Sequence, residues 1–359
     1  MEWWHIIKIC GERGRELAEA AGARPGARAG ARAGGGGAGG IMAGPMASGN
    51  DPRLAVDFCG LRFSTPLVLL SGCVGFGDEY TRVEGFSHAD VGAVCLKGTT
   101  LAPRTGNEPH RLAETPDGML NAIGLQNPGV DALLDDILPA LDFSETRFIA
   151  NVSGSSVEEY REIARRLDDS PVDAIEINIS CPNVREGGVE FGNHPEPSAR
   201  VVAACRAVTD KVLITKLSPN QADIADNARR CLEAGSDAFA VINTVAGMAI
   251  DAGTRRPVLG NNRGGLSGPA IKPVALLKVW EVHQVCKAHA APIIGQGGVT
   301  CGLDAIEFLI AGASAVGIGT GLFYDPLLCP KINREIADYL DEHDIENVAA
   351  LSGSLELNE

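Results

Sequence analysis

The chain has little of what marks several common classes of protein. Only 31 of its 359 residues are Lys or Arg, against 46 Asp or Glu, for a net charge of -15. That balance excludes nucleic acid and anionic membrane as main partners, since both demand clustered cations. No apolar run approaches the ~20 residues of a membrane span. The start, MEWWHIIKIC, has too short an apolar stretch for a secretory signal. The ten cysteines contain no C-x-x-C pair. This argues against a zinc site and against an iron–sulfur cluster held by this chain alone, so no metal site is expected. No G-x-G-x-x-G follows the first strand-like run, so a doubly wound dinucleotide-binding sheet lacks its fingerprint. The thiols then read as mostly buried and reduced, in a cytoplasmic protein.

What is present divides into two parts. Residues 1–50 include GARPGARAGARAGGGGAGG, a Gly/Ala/Arg stretch with nothing to build a core from. We read them as a disordered tail or a misassigned start, with Met42 or Met46 as the initiator. An Arg-rich targeting arm is disfavoured by the interspersed Glu12, Glu16 and Glu19. Residues 51–359 form the expected catalytic domain. There, apolar runs at Leu67–Ser71, Ala93–Thr99, Phe148–Ser153, Ala174–Ser180, Val212–Ser218, Ala238–Thr244, Pro292–Val299 and Ala315–Phe323 alternate with amphipathic stretches such as VEEYREIARRLDD and QADIADNARRCLEAG. Eight such rounds predict a (β/α)8 TIM barrel. LAVDFCGLRFSTP predicts an N-terminal hairpin plugging one end. PKINREIADYLDEHDIENVAAL predicts a helical tail packed outside. The connections from Thr100 to Phe148 and from Val245 to Pro292 are too long for plain loops. Both leave the C-terminal end of a strand, so both are expected over the catalytic face.

The strand ends carry the chemistry, as they do in parallel barrels. Gly295-Gln296-Gly297-Gly298 and Gly317-Ile318-Gly319-Thr320 end the last two strands, and Gly264-Gly265-Leu266-Ser267-Gly268 lies in the sixth connection. Three Gly-rich turns at neighbouring ends let backbone N–H groups approach an oxyanion, a phosphate signal. Lys97 and Lys216 end two strands, where a buried ammonium must meet an anion or shift its pKa. They suit an anionic ligand or the edge of a reduced cofactor, and a Schiff-base role competes. Asn121, Asn151, Asn178, Asn183 and Asn243 supply uncharged donors and acceptors suited to a flat ring of alternating C=O and N–H. Cys181 sits on the polar loop Asn178-Ile179-Ser180-Cys181-Pro182-Asn183 with no strand-end His to pair with. That favours a general base over a covalent nucleophile.

Taken together, NAIGLQNPG, NISCPN, KLSPN, the INT at Ile242–Thr244, GGLSGPAIKP, GQGGV and GIGTGLF resemble the dihydroorotate dehydrogenase family. The resemblance runs from about Leu54 to about Asn347. The Cys in NISCPN looks like the type 1, soluble enzymes. RRPVLGNNRGGLSGPAIKP looks like their NAD-linked, two-subunit class. The resemblance implies oxidation of (S)-dihydroorotate to orotate in pyrimidine synthesis, with Cys181 as base and hydride transfer to FMN. It implies FMN contacts from Ser71, Lys97, Gly98, Asn151, Asn178, Lys216, Ile242, Gly268, Gly297, Gly298, Gly319 and Thr320. Substrate contacts are implied for Lys97, Asn121, Ala122, Ile123, Gly124, Leu125, Asn178, Asn183, Asn243 and Thr244. It further implies a partner subunit carrying FAD and a [2Fe-2S] cluster, in a heterotetramer of two catalytic and two electron-transfer chains. One departure is Ser153 in NVSGS, where the family pattern leads us to expect Ala. The competing readings are a fumarate-linked dihydroorotate dehydrogenase, a dihydropyrimidine dehydrogenase-like flavin reductase, a flavin-free Schiff-base aldolase and a non-catalytic docking barrel.

Overall fold

A computed structural model describes residues 51–179 and 191–358. The apolar runs become parallel strands: β1 (Leu67–Leu69), β2 (Ala93–Cys95), β3 (Arg147–Val152), β4 (Ala174–Asn178), β5 (Val212–Leu217), β6 (Ala238–Val241), β7 (Ile293–Gln296) and β8 (Ala315–Ile318). Each pairs with its neighbour in sequence, and β8 closes the barrel on β1 with Val316 opposite Leu67. Side chains of β4, β6, β7 and β8 are buried on both faces. That is why these runs are mostly apolar rather than alternating, with Glu176, Asn178 and Gln296 as the exceptions. The strands stop short of their expected ends, at Cys95 instead of Thr99 and at Ile318 instead of Phe323. Past those points the chain turns outward over the mouth, and Gly321–Tyr324 forms a short helix.

The helical expectations hold where a cap and a periodic apolar stripe coincide. Helix Val157–Asp168 starts at Ser156, whose hydroxyl accepts the Glu159 N–H at 3.2 Å, and it buries Tyr160, Ile163, Ala164 and Leu167. Helix Ile224–Glu233 is capped by Asp223, which accepts the Asp226 N–H at 2.8 Å. Such caps each contribute about 1 kcal/mol. Between β1 and β2 there is no α-helix, only the 3-10 turns Asp78–Arg82 and His88–Asp90. Gly72, Gly75, Gly77 and Gly85 hold positive φ in that stretch, a conformation incompatible with a continuous helix. The C-terminal helix Leu328–Glu342 belongs to the outer wall. Its Ile332, Ile336 and Leu340 are fully buried, each stabilising the fold by roughly 1.5–3 kcal/mol.

The N-terminal hairpin pairs Val56–Phe58 with Leu61–Phe63, and the buried Phe58 and Phe63 rings stack at 5.1 Å. The Cys59 thiol donates to the carbonyl of Asp237, just before β6. The Arg147 guanidinium, at the start of β3, donates to the carbonyl of Arg62. The hairpin therefore closes the N-terminal end of the barrel.

The two long connections meet at the opposite end. Leu112–Thr115 and Gly118–Asn121 from one join Val245–Gly247 and Gly264–Ser267 from the other in a four-stranded antiparallel sheet. Its central register sets Gly265 opposite Asn121. Among the described residues no helix is long and apolar enough to cross a membrane.

Candidate active site

A cavity of about 1710 Å³ opens at the C-terminal end of the barrel. Single small-molecule sites measure roughly 300–1,000 Å³, so this one has room for two ligands side by side. Its lining includes Ser71, Lys97, Gly98, Asn151, Asn178, Lys216, Ile242, Gly268, Gly297, Gly298, Gly319 and Thr320. Asn121, Ile123, Gly124, Leu125, Asn243 and Thr244 line it as well. Ala122 departs from the expectation. It is fully buried away from the cavity in a small cluster with Leu120 and Leu259, because alternation along the chain turns it opposite to Asn121. Cys181 and Asn183 lie outside the described residues.

One wall is a backbone cradle. Gly268, Gly297 and Gly298 all hold positive φ. A Cβ on Gly298 would stand 2.7 Å from the Gly268 carbonyl oxygen, and one on Gly297 would stand 2.8 Å from Ala275 Cβ. The turn after β7 and the sixth connection therefore touch through their glycines, an approach no side chain permits. The turn after β8 joins them through Thr320, whose hydroxyl donates to the Ser267 hydroxyl at 2.7 Å. Three turns distant in sequence thus converge on one point, as a phosphate site built from backbone donors requires.

The floor carries the charges. Lys216 is 6% exposed, and its ammonium lies 3.8 Å from a carboxylate oxygen of Glu176, itself 1% exposed. The same oxygen accepts a hydrogen bond from the Asn151 side-chain amide. That bond uses the donor end of the amide. Asn151 Oδ1 is left buried with no protein partner, 2.8 Å from where a Cβ on Gly98 would be. Gln296 is similar: its Nε2 donates to the Ile242 carbonyl at 2.9 Å, while its buried Oε1 has no partner. Buried polar atoms without partners carry a penalty of about 1–3 kcal/mol each. Two of them beside one cavity fit a ligand whose N–H or O–H groups complete them.

The rim is held by local hydrogen bonding. Asn127 Oδ1 accepts from the backbone N–H of Thr100 and of Gly129, while Nδ2 donates to the Leu125 carbonyl at 2.7 Å. This fixes the far end of the Asn121–Leu125 segment, where Leu125 holds a positive φ. Asn220 grips the opposite rim, donating to the Thr244 carbonyl at 3.0 Å and accepting from Ala246 N–H at 2.8 Å. The Asn121 amide donates to the Gly265 carbonyl at 3.3 Å, tying the two rims together.

Cys73 also lines the cavity. Burial pushes its thiol up to about 11 in spite of the Lys216 and Lys97 ammoniums nearby. At neutral pH it is protonated and a poor proton acceptor. It therefore does not replace Cys181 as a candidate base.

Glu176 and Gln296 are site residues that the sequence motifs do not single out. Each carries a visible signal all the same. Glu176 is a carboxylate inside the apolar run AIEIN, and Gln296 is the one polar side chain in GQGG. A charge in a strand buried on both faces needs a partner inside the barrel.

These features define a (β/α)8-barrel enzyme whose mouth combines an anion cradle with a floor of lysines and amides. The chain belongs to the dihydroorotate dehydrogenase family, whose model matches residues 53–340. It is 48% identical over 307 residues to the catalytic subunit of dihydroorotate dehydrogenase B (NAD(+)) from Geobacter sp. (strain M21), covering 85% of this chain and 99% of that protein. It is 49% identical over 302 residues to the protein of that name from Anoxybacillus flavithermus, covering 84% and 95%. The fold matches a DHODH from Eimeria tenella solved in complex with ferulenol, with TM-score 0.71, 23% identity, and coverage of 85% of this chain and 89% of that one. The expected family and barrel are both borne out. The chain is an oxidoreductase of the dihydroorotate dehydrogenase type, and the aldolase and docking-barrel alternatives fall away.

Proposed function

We propose that the chain binds FMN and oxidises (S)-dihydroorotate to orotate as the catalytic subunit of an NAD-linked, two-subunit enzyme of the cytoplasm. The observation that carries this reading is the convergence of a three-turn anion cradle and a Lys216–Glu176–Asn151 floor in one cavity large enough for two ligands. The residues present fit FMN: backbone donors of Gly268, Gly297, Gly298, Gly319 and Thr320 suit its phosphate. The unpartnered acceptors of Asn151 and Gln296 suit its N–H and O–H groups. When bound, FMN supplies the two-electron acceptor for the hydride that leaves the substrate.

The chain's own residues do the rest. Lys97 and Lys216 provide positive charge at the floor, Lys97 for the anionic side of the substrate and Lys216 for the flavin edge. Asn121, Asn178, Asn183, Asn243 and Thr244 orient the substrate ring, with Ile123, Gly124 and Leu125 closing one side. Cys181 removes the proton from carbon 5 as thiolate, a base whose ordinary pKa of about 8.5 lies close enough to neutrality. The relatives' designation as catalytic subunits supports a second chain. We assign to that chain FAD and a [2Fe-2S] cluster, within a heterotetramer of two catalytic and two electron-transfer subunits.

The test is spectroscopic. The purified chain should show flavin absorbance, release FMN on denaturation, and bleach on anaerobic addition of dihydroorotate. A colourless chain that cannot be loaded with FMN would refute the reading.

A further inference from the structure

Glu176 does not line the cavity, yet it touches two residues that do. It stands on β4 directly opposite Asn151 of β3, and two positions along the same strand Asn178 stands opposite Lys216 of β5. At 1% exposure its carboxylate has no access to water. It accepts from the Asn151 amide and faces the Lys216 ammonium at 3.8 Å. The Cys95 thiol, fully buried, lies against the same carboxylate and is pushed well up by burial and then by that charge. It therefore stays a neutral donor. A carboxylate in so dry a place depends on such partners to offset its lost hydration.

This geometry has two consequences for the cavity. The bond from Asn151 Nδ2 to Glu176 fixes which end of the amide faces β4 and leaves the acceptor Oδ1 beneath Gly98, a residue that lines the cavity. The pairing with Lys216 means the floor offers an ammonium whose charge is partly offset instead of a bare one. A ligand that gains negative charge next to Lys216 is then stabilised less than the lysine alone would stabilise it.

We propose that Glu176 is a positioning residue beneath the cofactor floor: it orients Asn151, anchors the Lys216 ammonium, and by offsetting that charge sets how strongly the site prefers reduced over oxidised FMN. This rests on the placement of Lys216 at the flavin edge given under Proposed function.

The experiment compares FMN-loaded wild type, Glu176→Gln, Lys216→Met and the double variant by dye-equilibrated reduction at pH 7. The quantity read is the ratio of affinities for reduced and oxidised FMN. Gln is isosteric and still accepts from Asn151, so Glu176→Gln removes the charge while keeping the shape. It should raise the ratio about tenfold to hundredfold, the size expected for one charge removed within a few ångströms in a protein interior. In the Lys216→Met background there is no ammonium left for Glu176 to anchor or offset. The same substitution should there change the ratio less than about threefold. Glu176→Asp keeps the charge and should stay within about threefold of wild type.

A Glu176→Gln ratio equal to wild type, with Lys216→Met shifted, overturns the role of Glu176 alone. Equal shifts with and without Lys216, or Asp behaving like Gln, also overturn it, since the effect would then be shape or bulk charge. An unchanged ratio in Lys216→Met overturns the placement of Lys216 itself and takes this proposal with it. Should Glu176→Gln fold poorly, FMN titration of the apoprotein of Glu176→Asp decides. Oxidised-FMN affinity within about threefold of wild type supports charge as the determinant, and a loss beyond about thirtyfold refutes it.

Discussion

Gly298→Ala separates the cradle from the rest of the fold. Gly298 holds φ +86, and a Cβ there would stand 2.7 Å from the Gly268 carbonyl oxygen, 3.0 Å from Lys272 Cβ and 3.1 Å from Pro269 Cα. The left-handed conformation costs an alanine about 1–2 kcal/mol. The overlap with a backbone carbonyl adds a similar amount, because the neighbour that must move is main chain and not a flexible side-chain end. The free protein relieves both by opening the turn, so the penalty falls on cofactor binding. At 1.4 kcal/mol per factor of ten, a loss of ~2–4 kcal/mol weakens FMN roughly 30-fold to several hundred-fold. Flavin-fluorescence titration of the apoprotein reads this directly. Gly60→Ala is the control. Gly60 holds φ +79 in the hairpin at the far end of the barrel, with nothing within 4 Å of a new Cβ. It should lose about 1 kcal/mol of stability in denaturant unfolding and leave FMN affinity unchanged. Wild-type FMN affinity in Gly298→Ala would refute the cradle.

Three further outcomes are expected. Cys181→Ala should keep FMN and orotate binding but lose about 10²–10⁴-fold in turnover. Cys181→Ser should retain more activity, displaced to higher pH, and near wild-type turnover in the Ala variant would remove Cys181 from the role of base. Lys97→Met should weaken both orotate and FMN in equilibrium titrations, whereas Lys216→Met should mainly alter the reduced-to-oxidised preference. Identical effects of the two would contradict their separate roles. The isolated chain should reduce artificial acceptors with dihydroorotate but not NAD, since it lacks both a dinucleotide fingerprint and a cysteine cluster. Efficient NAD reduction by the homogeneous chain would overturn the two-subunit assignment.

The barrel and most of its mouth are legible in the amino-acid sequence. A strand buried on both faces is apolar along most of its length, so eight such runs stand out. The residues at the C-terminal end of each run must be polar or Gly-rich, so Lys97, Asn151, Lys216, Gly297 and Gly319 can be picked out as a set. Which of these touch is a matter of tertiary structure. Contact between Gly268 and Gly298, or between Thr320 and Ser267, depends on closure of the barrel, which no local pattern encodes. The pairing of the two long connections in one sheet is hidden for the same reason: each half is a hairpin of two short strands, and the pairing that joins the halves, Gly118–Asn121 with Gly264–Ser267, links segments far apart in sequence. The placement of Ala122 at the cavity fails because a loop motif does not reveal the alternation that turns one residue inward and the next away. Glu176 escapes a reading by motif because period and propensity describe a strand's faces, while a buried charge is explained only by the partners the barrel brings to it: Asn151 from one side and Lys216 from the other.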